Sequence, residues 1–324
     1  MVSFDRALVT GVAGFVGSHL AERLLTSGVA VRGIDCLTPY YSETIKQRNL
    51  QPLEGFPSFE FEHADLASDD LSRHLADVDV VFHQAAQPGV RSSWATGFEI
   101  SVRNNVVATQ RLLEAVKEAG VQRFVYASSS SVYGEGVETP TKEEAQLRPF
   151  SPYGVTKLSG EQLCSVYARN WGVDTVALRY FTVYGPRQRP DMATHRLIQA
   201  ALNGTAFPLF SSADHVRDFT YVSDIVDANI AAATARDNAT VVNVAGGGLT
   251  SMSELMTIVE EVTGRPVTVD HLAKQAGDVT HTEADLTRAR SSLDWRPQVG
   301  LRDGVAAQVE WHRENSSLLA SVGD

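Results

Sequence analysis

The strongest constraint on the fold is a glycine-punctuated turn, Thr10-Gly11-Val12-Ala13-Gly14-Phe15-Val16-Gly17-Ser18-His19-Leu20. It lies between a strand-like run, Arg6–Thr10, and a helical pattern, Phe15–Thr26. Glycines at this spacing permit a tight turn, close approach of the backbone to a diphosphate and close helix–strand packing. A helix starting there aims its N-terminus at the anion. Glycines alone often mark an ordinary turn. Here Asp35 ends the next strand-like run, Ala30–Asp35, about twenty residues on, where a carboxylate bonds ribose hydroxyls. Such a carboxylate repels a 2′-phosphate, so NAD is expected rather than NADP.

Strand-like runs continue at Phe59–Glu62, Val78–His83, Arg123–Ser128 and Thr175–Tyr180, and helical periodicity at Ser68–Leu75, Val102–Lys117 and Pro152–Trp171. This alternation predicts an α/β fold, a Rossmann-type doubly wound parallel sheet over residues 1–180, with ligand-binding turns at its carboxyl edge. Beyond Tyr180, Pro186, Pro190 and Pro208 loosen the pattern. Residues 181–324 are expected to form mainly a smaller α/β substrate domain, with segments near 215–248 returning to the main sheet. Val241–Val244 reads as a buried strand. Ser251–Thr263 reads as a helix with Ser251 or Ser253 as N-cap and Gly264-Arg265-Pro266 as its stop. The tail after Glu314 is expected to fray.

The 324 residues are 43% hydrophobic, enough for one large domain or two closely packed ones. A net charge of −11 argues against nucleic acid or an anionic membrane as partner. The two cysteines, Cys36 and Cys164, suit reduced thiols. No signal peptide is visible and no apolar run approaches ~18 residues, so a soluble cytoplasmic protein is expected.

The chemistry concentrates in Ser128-Ser129-Ser130-Ser131-Val132-Tyr133-Gly134 and Ser151-Pro152-Tyr153-Gly154-Val155-Thr156-Lys157. On a helix, Tyr153 and Lys157 share a face, one turn apart. An ammonium near a phenol favours the phenolate, so a group titrating near pKa ~10 can serve as a base closer to neutrality. A serine hydroxyl can reach the same reacting oxygen.

These segments resemble those of the extended short-chain dehydrogenase/reductases, the NAD-dependent sugar-nucleotide epimerases and dehydratases. The resemblance covers nearly the whole chain. It includes the glycine turn, Asp65-Leu66, His83-Gln84-Ala85-Ala86, Asn105, the serine run, Tyr153-x-x-x-Lys157 and Val216-Arg217-Asp218-Phe219. Within the family, Gln87-Pro88-Gly89-Val90-Arg91 and the run from Arg179 through Gly185-Pro186-Arg187-Gln188-Arg189 to Met192 look most like UDP-glucuronic acid 4-epimerases.

The resemblance implies a cofactor site of Gly11, Gly14, Phe15, Val16, Gly17, Asp35, Asp65, Leu66, Ala85, Ala86, Asn105, Tyr153, Lys157 and Tyr180. Asp65 and Leu66 would hold the adenine, and Lys157 the nicotinamide ribose. Tyr153 would act as base, assisted by Ser129, with the cationic nicotinamide and Lys157 holding its phenolate. The implied substrate site is Pro88, Gly89, Arg91, Ser129, Ser130, Ser131, Thr182, Arg189, Arg217 and Asp278, with Arg217 on the diphosphate of a UDP-sugar. No metal is expected, and the family implies a homodimer through helices around 102–117 and 152–171. The implied reaction inverts C4 of UDP-glucuronic acid through a 4-keto sugar.

Related decarboxylases and dehydratases usually carry glutamate where this chain has Ser131, which favours epimerisation. Ser130, Ser131 and Thr182 are expected to bond the substrate carboxylate, although four small hydroxyls also suit an ordinary polar strand end. One departure from the family is Gln275, in Lys274-Gln275-Ala276-Gly277-Asp278, where an arginine often meets the diphosphate; Lys274 is a candidate substitute. A UDP-glucose 4-epimerase, a UDP-glucuronate decarboxylase and a dinucleotide-sensing regulator are the alternatives. His63, His74 and His83 do not read as a metal set. Cys164 and Trp295 read as packing residues, and Asp224 and Asp227 as helix caps or ion-pair partners.

Overall fold

Strand and helix alternate through the first half of the chain as its periodicity requires. The elements are β1 (Arg6–Thr10), α1 (Phe15–Thr26), β2 (Ala30–Asp35), α2 (Glu43–Glu54), β3 (Phe59–His63), β4 (Val80–His83), α3 (Gly97–Val102), α4 (Ala108–Ala119), β5 (Arg123–Ser129), α5 (Pro152–Trp171) and β6 (Thr175–Tyr180). The second half adds β7 (Thr182–Tyr184), α6 (Ala193–Asn203), β8 (Ala206–Leu209), β9 (Val216–Tyr221), α7 (Val222–Thr234), β10 (Val241–Val244), β11 (Leu249–Ser251), α8 (Met252–Thr263), β12 (Thr268–His271), α9 (Thr287–Leu293), α10 (Leu301–Glu314) and α11 (Ser316–Val322). The computed structural model describes residues 4–210, 212–235, 240–273 and 275–322.

Seven strands form one parallel sheet in the order β10-β6-β5-β4-β1-β2-β3. Side chains alternate between its faces. Val9, Phe82, Val125 and Leu178 join the core beneath α1 and α7. Their neighbours Leu8, Val81, Phe124 and Ala177 join the core beneath α4 and α5. Burying each Val, Leu or Phe contributes roughly 1.5–3 kcal/mol, so both faces must stay covered. The strand order reverses beside β1, between β2 and β4, and opens a crevice at the carboxyl ends.

In the second half, β11-β9-β7 form a small mixed sheet and β12-β8 a parallel pair. With α6, α8 and α10 they enclose a third core around Tyr184, Ile198, Phe207, Leu255 and Val309. β10 returns to the main sheet, as its apolar run predicts. Ser251 caps α8 in a capping box: its Oγ accepts from Glu254 N at 3.1 Å, and Glu254 Oε2 accepts from Ser251 N at 2.7 Å. Gly264 ends that helix at φ +68°.

Two local expectations change, and one helix is added. Of Ser68–Leu75 only Ser72–Leu75 forms a short 3-10 turn. Asp70 Oδ1 takes the Ser72 N–H, and Asp69 Oδ2 takes that of Asp65, so side chains compete with the helical ladder. α2 was not foreseen; it carries Pro52 in its last turn, which hides its periodicity. Through Val322 the tail is helical rather than frayed: α11 follows α10, with Leu319 buried and Arg48 Nε of α2 donating to Asn315 Oδ1 at 3.3 Å. Packing residues behave as read: Cys164 is buried, and buried Trp295 donates from Nε1 to Asp224 O. Asp224 accepts from Val299 N, and Asp227 pairs with Arg23. Among the described residues no helix is long and apolar enough to cross a membrane.

Candidate active site

The glycine turn fits a diphosphate-bearing cofactor on steric grounds. A Cβ on Gly17 would sit 2.1 Å from Gly11 O, and one on Gly11 2.7 Å from Ala85 N. Gly11 also adopts φ +70°. The turn therefore nests against the loop after β4 only because these side chains are absent. Gly14 caps α1 without a side-chain bond, and the first turn holds no acidic residue. Its N–H groups are left for an anion.

Asp35 ends β2, with Oδ2 accepting from Ala13 N at 3.1 Å and Oδ1 from Leu37 N at 2.8 Å. Burial pushes its carboxyl up, against those backbone bonds and the nearby Lys46. Each oxygen keeps a lone pair, which suits ribose hydroxyls. Asp65 accepts from Ala67 N and pairs with Arg103 at 2.6 Å.

A cavity of about 1120 Å³ runs from this turn across the sheet edge to the small sheet. It brings together every residue assigned to the site from sequence except Asn105. Asn105 lies behind the wall: its Oδ1 accepts from Gln87 N at 2.6 Å, and its Nδ2 donates to Gln87 O and Thr156 Oγ1. It anchors the β4 loop to α5, while its neighbour Asn104 lines the cavity. Tyr180 is fixed by Gln84 and Asn229, its hydroxyl donating to Gln84 Oε1 at 3.1 Å.

Helix α5 begins at Ser151, whose Oγ accepts from Gly154 N, and turns Tyr153 and Lys157 toward the serine run at the end of β5. Burial pushes the Tyr153 phenol above its usual range, while the Arg189 charge and a hydrogen bond with Ser129 draw it down. Lys157 Nζ lies 6.0 Å from the Tyr153 ring centre and donates to Ala127 O at 2.7 Å. Burial lowers the ammonium to about 7. Arg189, which helical spacing does not reveal, thus acts on the phenol alongside Lys157, one turn along α5. Ser129 Oγ accepts from Ser131 N and donates to Ser131 Oγ, both at 3.1 Å.

Arginines gather on the far side. Arg189 forms a bidentate pair with Asp191 at 2.9 and 3.0 Å. Arg91 pairs with Asp278 at 2.7 Å and covers the Phe210 ring at 4.3 Å. Arg217 is held by the carbonyls of Val216, Thr280 and Val279, and burial lowers its pKa. Gln275 donates to Ala273 O, and Lys274 lies outside the described residues.

The cavity also includes residues that sequence reasoning missed. Tyr40 and Lys46 come from the region after β2, and the position of that loop at a carboxyl strand end was the available signal. Phe207, Phe210 and Arg196 come from the second half, and no local signal marks them.

A glycine-cradled dinucleotide crevice opening onto a buried tyrosine, lysine and serine defines a dehydrogenase-type enzyme that oxidises and reduces an alcohol carbon. Residues 7–245 match the model of the NAD dependent epimerase/dehydratase family, and the chain belongs to that family. A UDP-glucuronic acid 4-epimerase from Bacillus cereus, solved in complex with UDP-glucuronic acid and NAD, is similar throughout. Its TM-score is 0.93 at 43% identity, covering 95% of this chain and 99% of that one. An uncharacterized UDP-glucose epimerase, YtcB of Bacillus subtilis, is 43% identical over 94% of this chain and 97% of its own. A UDP-glucose 4-epimerase of Mycolicibacterium smegmatis is 38% identical over 96% and 99%. The protein is an NAD-dependent epimerase, an isomerase.

Proposed function

We propose that this enzyme inverts C4 of UDP-glucuronic acid, giving UDP-galacturonic acid through a transient 4-keto sugar and without loss of CO₂. The observation that carries this reading is Ser131, in the cavity beside Ser129 and Ser130, where a decarboxylase or dehydratase of the family would be expected to carry glutamate.

The residues around the glycine turn, with Asp35, Asp65 and Leu66, hold NAD, which when bound supplies a hydride acceptor for C4 and a donor for the return step. Tyr153 takes the proton of the 4-hydroxyl. Ser129, which lines the cavity beside that phenol, bonds the 4-oxygen and assists the transfer. Lys157 holds the nicotinamide ribose and adds positive charge near the phenolate. Arg217 and Arg91 hold the diphosphate, a task suited to planar donors. The 4-keto sugar turns in the cavity, and Tyr153 returns the proton to its oxygen.

The 4-keto uronate is a β-keto acid, which loses CO₂ when its carbon–carboxylate bond stands perpendicular to the carbonyl plane. Ser130, Ser131 and Thr182 bond the carboxylate and keep that bond away from the reactive angle. Arg189 is a second anion contact.

The enzyme works as a cytoplasmic homodimer. Support for the dimer comes from exposed Val107 and Val155 and from an apolar groove lined by Val106, Leu158, Leu163 and Val166.

Incubation with UDP-glucuronic acid, followed by analysis of C4 configuration and CO₂, tests the reading. UDP-galacturonic acid is the expected product. A UDP-pentose with CO₂ would sink it in favour of decarboxylation. Turnover of UDP-glucose alone, the reading favoured by the UDP-glucose epimerases among its relatives, would show that the hydroxyls do not hold a carboxylate.

A further inference from the structure

Behind the serine run lies a buried ion pair that the proposed chemistry does not use. Glu161 stands one turn after Lys157 on α5, and Arg179 precedes Tyr180 on β6; both side chains are 3% exposed. The contact is bidentate, Nε to Oε1 at 2.9 Å and Nη2 to Oε2 at 2.7 Å. Desolvating two charges is unfavourable, and apolar side chains of similar volume often stabilise a core as well. What the pair provides and apolar groups do not is directed hydrogen bonds.

Those bonds terminate at the two ends of the serine run. Ser128 Oγ donates to Glu161 Oε1 at 2.5 Å. Arg179 Nη1 donates to the Tyr133 hydroxyl at 2.8 Å, and that hydroxyl donates to Asn243 Oδ1 at 2.6 Å. The residues flanking Ser128 both face the reaction. The Ala127 carbonyl receives Lys157 Nζ, and Ser129 lines the cavity together with Tyr153, whose phenol it helps to draw down.

We propose that Ser128, Glu161, Arg179 and Tyr133 are positioning residues for epimerisation: a buried frame that pins the serine run at both ends and sets Ser129 against Tyr153 and Lys157. The inference rests on the reading that Tyr153 and Ser129 move the proton. A frame of this kind acts on the placement of reacting groups, so its loss lowers the rate more than the affinity.

Ser128→Ala removes one strut and leaves the ion pair whole. In the NAD-bound enzyme, assayed with the UDP-sugar it turns over, kcat is expected to fall about tenfold. KM is expected to stay within about twofold, with bound NAD and Tm unchanged and most of the rate restored in Ser128→Thr. Tyr153→Phe is run alongside. Wild-type kcat in Ser128→Ala with an inactive Tyr153→Phe overturns the frame and leaves the proton reading standing. Full activity in Tyr153→Phe overturns the reading on which the frame rests. A fall in kcat that comes with a lowered Tm and is not restored by Ser128→Thr marks Ser128 as merely structural and also overturns the frame. If Ser128→Ala does not fold, Tyr133→Phe cuts the opposite end with the same expectation, and wild-type kcat there overturns the proposal.

Discussion

Tyr153 sits among groups that pull its phenol in opposite directions. Burial favours the neutral form, whereas Arg189 and Ser129 favour the phenolate. Helical spacing predicts Lys157 on the same face of α5, and both side chains line the cavity. Spacing does not reveal that Lys157 donates to the Ala127 carbonyl, or that Arg189 approaches from a loop after β7. The proposed base role makes Tyr153→Phe a sharp test. Turnover should drop by about 10²–10⁴-fold, the usual worth of a positioned acid–base group, while purified protein still carries NAD. Steady-state rates with an absorbance assay of bound nucleotide measure both, and unchanged turnover would remove Tyr153 from the mechanism. Asn105 shows the limit of reading single residues: its motif points to the cofactor, but its amide is spent on Gln87 and Thr156.

At the scale of elements, boundaries are legible where the signal is local. α1, β1, β2 and β6 have the bounds their periodicity predicts, and α5 starts at the Ser151 cap. α8 shows how much a cap contributes. Ser251→Ala breaks the reciprocal bonds with Glu254 and should lower stability by about 1 kcal/mol, read as a lower urea midpoint at unchanged slope. An unchanged midpoint would mean that other contacts hold the first turn. α2 and α11 went unread because Pro52 obscures one, while the other depends on packing against α2. The segment between Val102 and Ala108 is helical as expected, but it adopts a wider π turn at Arg103–Val107, where Asn105 reaches the β4 loop.

Over the whole molecule, buried titrating groups set the response to acid. His19 and His83 are lowered to about 3 and His312 to about 2, in each case chiefly by burial. All three are neutral when folded. As pH falls through the unfolded value of 6.5, the unfolded chain binds protons that the fold refuses, so stability declines. Each group contributes about 1.4 kcal/mol per pH unit once the unfolded imidazole is charged. Asp218, raised to about 6 by burial, acts oppositely below that value, and Asp35 and Asp224, also raised by burial, act with it, whereas the three histidines act from 6.5 downward. The urea midpoint should therefore fall from pH 7 to pH 5, and a flat profile would mean that these rings are solvated. For the proposed dimer, Val155→Glu places a charge in its apolar face and should give a monomer by light scattering; an unaltered mass would move the interface elsewhere. The sequence by itself determined the parallel sheet, the glycine turn, its dinucleotide chemistry and the tyrosine–lysine helix, because strand alternation, glycine sterics and helical spacing act over a few residues. Tertiary structure decided which distant groups meet. Arg91 is joined to Asp278 and covered by Phe210, Arg189 is brought to Tyr153, and Glu161 is set against Arg179 behind the serines. The arginine meetings depend on how the second half folds back over the carboxyl edge of the sheet, and the Glu161–Arg179 pair on how α5 packs against β6; both are packing outcomes that no short window of residues encodes.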